Sequence, residues 1–107
     1  MQKYLIKASY STPGIKGVQK EGGSGRADAV GKAIAGVGGQ MESFYFAFGS
    51  DDVYIVADLP DNESAIAMAA TVGSTGALSS YETVVLFTPE QVDRAVKRSI
   101  DYRPPGS

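Results

Sequence analysis

The feature that most constrains this chain is a pair of strand-like segments at its centre. Residues 41–48, Met-Glu-Ser-Phe-Tyr-Phe-Ala-Phe, put Phe44, Phe46 and Phe48 on one side of an extended backbone and Tyr45 and Ala47 on the other. Gly49-Ser50-Asp51-Asp52 reads as a turn, and Val53 to Leu59 as the returning strand, stopped by Pro60. A four-residue loop predicts an antiparallel hairpin with Phe48 opposite Val53. One face then carries Phe44, Phe46, Phe48, Val53, Ile55 and Ala57 and has to be covered.

The flanking segments supply the cover. Residues 3–9 form a first strand. Thr12 is placed as an N-cap with Pro13 at the first helical position, opening a short helix from Ile15 to Glu21. Gly22-Gly23-Ser24-Gly25 is expected to break it, and Ser24 to cap a second helix over 25–37. There Val30, Ala33, Ile34 and Val37 form an apolar stripe, and Gly38-Gly39 ends the helix. After the hairpin, Asp61 caps a helix over 62–72 with Glu63 in its first turn. That helix is apolar nearly all round, which predicts deep burial. Residues 78–87 form a last strand. Thr88-Pro89-Glu90-Gln91 is a capping box opening a final helix with a stripe of Val92, Ala95, Val96 and Ile100. The order βαββαβ plus a C-terminal helix predicts an α+β, ferredoxin-like sandwich: two helices over one face of a four-stranded antiparallel sheet. Residues 1–101 make a single domain and 102–107 a flexible tail.

The second face of that sheet is mixed. It would display Leu5, Tyr45, Tyr54, Val56, Val84 and Leu86 with Lys7, Asp58 and Glu82 among them, and Val85 and Phe87 would lie under the helices. An exposed apolar patch of more than a few hundred Å² marks an interface. The expectation is a homo-oligomer of at least two chains, the sheets packed face to face as a dimeric α/β barrel.

Composition narrows the chemistry. With 43% hydrophobic and 21% charged residues, a packed core is expected. The chain has no cysteine and no histidine, so thiol catalysis, zinc-thiolate sites, histidine bases and histidine ligands are excluded. No cofactor is expected. The net charge of −2 divides into +4 over residues 1–32, −7 over 33–89 and +1 over 90–107. A nucleic-acid binder carries a continuous basic footprint, which the acidic middle interrupts, so nucleic acid is not an expected partner. No stretch reaches the ~20 apolar residues of a membrane span. The first seven residues lack the apolar run of a signal peptide, and a cytoplasmic protein with no membrane partner is expected.

Several pieces in order resemble the GYD-domain proteins, over roughly residues 3–90. They are Tyr4-Leu5-Ile6, Thr12-Pro13-Gly14-Ile15, Arg26-Ala27-Asp28-Ala29, Gly38-Gly39, Phe44-Tyr45, Gly49-Ser50-Asp51-Asp52-Val53, Leu59-Pro60-Asp61 and Gly76. The family pattern at the turn is like Gly-x-Tyr-Asp. Gly49 and Asp52 match it, and Asp51 stands in place of the tyrosine. The resemblance implies the ferredoxin-like fold and its assembly, and it carries no settled activity.

Three groups of residues are candidates for function. Lys7, Tyr45, Tyr54, Asp58 and Glu82 on the mixed face could line a small-molecule pocket or pair within an interface. Lys7 is expected to be buried there and paired with Asp58 or Glu82. Ser24, Gly25 and Arg26 could form an anion cradle at a helix N-terminus, or only a capped loop. At the motif turn of Gly49, Asp51 and Asp52, the acids serve the turn and Asp52 forms an Asx turn; no metal site is expected. Two functions remain open: a non-catalytic homo-oligomeric small-ligand-binding or assembly protein, and a small cofactor-independent enzyme, isomerase or monooxygenase-like, with a pocket bounded by the sheet.

Overall fold

Alternating burial builds the sheet. In the computed structural model, which describes residues 1–107, the strands are β1 (Gln2–Tyr10), β2 (Gln40–Phe46), β3 (Val53–Leu59) and β4 (Leu78–Leu86), and the helices are α1 (Thr12–Gly36), α2 (Asn62–Gly73) and α3 (Pro89–Val96). Tyr4, Ile6 and Ala8 of β1 are buried, as are Val53, Ile55, Ala57 and Leu59 of β3, while the residues between them are half-buried. The strands pair antiparallel in the order β2-β3-β1-β4. The fold is α+β and ferredoxin-like, as the element order predicts. Tyr4, Ile6, Ile34, Ile55, Ala57, Leu59, Ala65 and Met68 form the core between the sheet and the two long helices.

The hairpin differs from the expectation by two residues. Phe46, not Phe48, faces Val53, and the loop spans the six residues 47–52. A two-residue shift preserves parity, so each strand residue keeps its face. Phe48 itself lies in the loop, fully exposed. The register also shifts between Met41 and Ser43. This bulge turns Met41 toward the core and leaves Glu42 on the opposite side, a flip that strict alternation does not allow.

The caps of the first helical region differ from the expectation. Ser11, not Thr12, is the N-cap, accepting from the Gly14 N–H at 3.2 Å. The range α1 then comprises two helical segments that meet at Gly22, whose φ of 83° and ψ of 164° are non-helical. That left-handed value is open to glycine at no steric cost, so the first helical segment is interrupted at Gly22, as the glycine run predicts, and a second segment follows directly. Ser24 lies inside the second segment and caps nothing. The cap at Asp61 forms as predicted, its carboxylate accepting from the Ser64 N–H at 2.8 Å and the Ser64 hydroxyl at 2.7 Å. These bonds hold the Asp61 carboxyl below the usual carboxylate range. The capping box at Thr88 and Gln91 also forms.

Two expected burials do not occur. In α2 only Ala65 and Met68 are buried, and Ile66 is 66% exposed. Val85 faces the helix side beside Ala65, Ile66 and Ala69 of α2 but is only loosely covered, at 42% exposure, and Phe87, just past the end of β4, is 68% exposed. The apolar stripe of α3 is uncovered as well: Val92, Val96 and the following Ile100 all remain exposed. The radius of gyration is 17.2 Å, against about 13 Å for a compact chain of this length. The C-terminal segment therefore extends away from the sandwich, stretching its long axis to 58 Å.

Candidate functional site

Two regions concentrate polar groups within apolar surroundings. The first is the open face of the sheet. Pairing aligns Ser43, Val56, Leu5 and Val84 in one cross-strand row. The next row toward the turn contains Tyr45, Tyr54, Lys7 and Glu82, so four of the five residues singled out on this face stand side by side. Asp58 does not join them. It lies in the row on the other side, opposite Lys3.

Each lysine of the face has its own acids. The Lys7 ammonium is 3.4 Å from Glu82 Oε1 and 3.8 Å from Asp51 Oδ2. Asp58 serves Lys3 instead, 3.1 Å away, and Lys3 also donates to Glu42 on the bulge at 2.7 Å. These partners raise the Lys3 pKa, Glu42 most. The Lys7 side chain is 28% exposed, so it is half-buried rather than sealed from water. Its apolar stem is partly covered while its ammonium sits between Glu82 and Asp51.

The motif turn is tied to β1. Asp52 accepts the Tyr10 N–H on Oδ2 at 2.9 Å, donates its own N–H to the Ala8 carbonyl at 2.9 Å and accepts the Ala47 N–H at 2.8 Å. The expected Asx turn is thus replaced by a bond to a residue 42 positions earlier. Gly49 lies in the open loop, while Asp51 reaches back toward Lys7.

The second region was missed from the sequence: a partly open cavity of about 200 Å³ between α1, α2 and the covered face of the sheet. From α1 it takes Arg26, Ala29, Val30 and Ala33, one helical face at i, i+3, i+4 and i+7. From α2 it takes Met68, Thr71 and Val72, with Thr75 in the turn that follows the helix, the same spacing. Helix α1 packs mainly on β2 and α2 mainly on β4. The helices are held apart, and the alanines of α1 are too short to fill the gap. The two matching stripes, one headed by an arginine, are the sequence signal for this cavity.

Arg26 is the only charged residue lining it. Of the three residues considered for an anion cradle, Arg26 alone reaches the cavity; Ser24 and Gly25 do not. Its side chain is 31% exposed, and Glu21 Oε1 lies 3.2 Å from Nε. That contact is out of line with the N–H, so the buried Nε–H has no hydrogen-bond acceptor. The Tyr10 and Tyr81 phenols also line the cavity. Burial pushes both pKa values up, and the Arg26 guanidinium pulls that of Tyr10 the other way.

A four-stranded sandwich with one polar-flanked open face and one apolar cavity defines an α+β protein of ferredoxin-like architecture. The chain belongs to the GYD domain family, whose model matches residues 4–96. No curated protein matches it. No helix is long and apolar enough to cross a membrane.

Proposed function

We propose that this GYD-domain chain is a non-catalytic, homo-oligomeric assembly protein whose protomers pack through the open faces of their sheets as a dimeric α/β barrel. The observation that carries this reading is the central row of Val56, Leu5 and Val84, which no helix covers. The face is complementary to itself. An apolar row lies between two polar ones, so a two-fold rotation places each kind of row on its like. Both lysines already have acids beside them, so covering the face strands no unpaired ammonium.

Area supports a second contact. Four strands and seven residues give a face of about 450 Å², whereas a stable interface buries about 800 Å² per partner. The projecting α3, with Val96 75% exposed, offers the remainder as an arm that reaches the partner. The core supports it too: only 11 of 107 residues are buried, a small interior that association would supplement. A cytoplasmic location is part of this reading.

Sedimentation velocity tests it. The chain should sediment as a dimer or larger at micromolar concentration. Val84→Asp should shift it toward monomer, and Val96→Asp should weaken association without loss of helical signal. Ser24→Asp, on the opposite side, should leave assembly unchanged. A wild-type chain that sediments as a monomer would overturn the proposal.

A further inference from the structure

We infer that the cavity between α1, α2 and the sheet is a binding site for a small apolar molecule bearing one carboxylate, its apolar body against the sheet and its carboxylate on Arg26. Three observations carry this. The cavity is apolar, 14 of its 17 lining residues being hydrophobic, and it holds about 200 Å³. An apolar cavity of about 150 Å³ takes benzene, so this one fits about eight to ten non-hydrogen atoms. Arg26 is the only charge in the lining, so a monoanion is its electrostatic complement. Its buried Nε–H lacks an acceptor, and a ligand oxygen supplies one.

The surrounding charges set the geometry. The guanidinium presents five donors in a planar fork suited to a carboxylate. Glu21 already lies beside Nε but outside the lining, and it is 36% exposed, free to turn into water when a ligand carboxylate arrives. Asp52 is held by the Tyr10 N–H and does not line the cavity. The neutral Tyr10 phenol is placed to donate beside Arg26. The side chains of Ile6, Phe44, Val53 and Ile55 receive the apolar body. No carboxylate lines the cavity, so nothing inside it repels the anion.

The site lies within one protomer, so it stands apart from the assembly proposal, and sedimentation of the ligand-bound chain reports on assembly separately. Isothermal titration of the wild-type chain with benzoate, hexanoate and benzamide tests it. At least one of the two carboxylates should bind at submillimolar concentration, and benzamide at least about tenfold more weakly than benzoate. Arg26→Gln should lose about tenfold for the carboxylate and leave benzamide unchanged. Ala29→Leu, which fills the cavity, should abolish binding of all three while circular dichroism confirms the fold. A wild-type chain that takes up neither carboxylate at millimolar concentration would refute the inference, as would equal affinity for benzoate and benzamide. Unchanged carboxylate binding in a folded Arg26→Gln chain would refute it too. Should a variant fail to fold, the benzoate–benzamide contrast in the wild type decides alone.

Discussion

Lys7 and Glu82 are direct cross-strand partners in the β1–β4 pairing, and their charged groups meet at 3.4 Å on the open face of the sheet. The pair is half in water, with the Glu82 side chain 62% exposed. In an isolated protomer a double-mutant cycle with Lys7→Met and Glu82→Gln should give a coupling of only about 0.5 kcal/mol, the range of exposed ion pairs. The same cycle at concentrations where the chain associates should give a larger coupling, because a covered pair loses its water. Equal coupling in both states would show that the pair stays outside any interface.

Asp52 holds the hairpin loop to β1 by its carboxylate bond to the Tyr10 N–H. Asp52→Ala should lower stability by about 1–2 kcal/mol, the cost of losing a charged acceptor from a backbone donor. Asp52→Asn keeps a side-chain acceptor and should lose less. Denaturant unfolding measures both. Added Mg²⁺ or Ca²⁺ should leave the midpoint unchanged, and a shift toward higher stability would identify the loop as a cation site.

Two glycines of the same helix should respond in opposite directions. A side chain at Gly14 would run into the Ala77 backbone carbonyl, where α1 starts against the residue that precedes β4. Gly14→Ala should therefore destabilise by about 1–3 kcal/mol, through forced backbone displacement. Gly17 has open space around it in a helical stretch, and Gly17→Ala should stabilise by about 0.4–1 kcal/mol. Similar unfolding midpoints for the two variants would refute the close approach at Gly14.

Burial raises the pKa of Tyr4, Tyr10 and Tyr81. A phenol whose pKa is higher in the folded state contributes stability that is present below its unfolded pKa of about 10 and is lost as pH rises through the folded value. Ultraviolet titration of the six tyrosines should show at least three phenolates forming above about pH 10, with stability falling over the same range. Tyr81→Phe should remove one of the late phenols. Complete ionisation of all six at the ordinary tyrosine pKa would contradict the burial of these rings.

What short-range rules govern is legible in the residues alone. Alternation in Phe44-Tyr45-Phe46 and in Val53–Leu59 specifies the strands and their two faces, and a register two residues off left those faces intact because side chains repeat every second residue. The caps at Asp61 and Thr88 are legible because donor and acceptor lie within one turn of each other. Features that depend on partners distant in the chain are not legible there. The bulge at Glu42, which frees that acid for Lys3, has no signature in the alternation. The bond from Tyr10 to Asp52 joins two loops' ends that only sheet pairing brings together. Ile66 is exposed in a helix of nearly uniform apolarity, because burial there depends on how far neighbouring elements extend and not on the helix's own pattern. The cavity beside Arg26 belongs to the same class. Each helix carries its half as an ordinary stripe, and the void exists only because the sheet holds the two stripes apart.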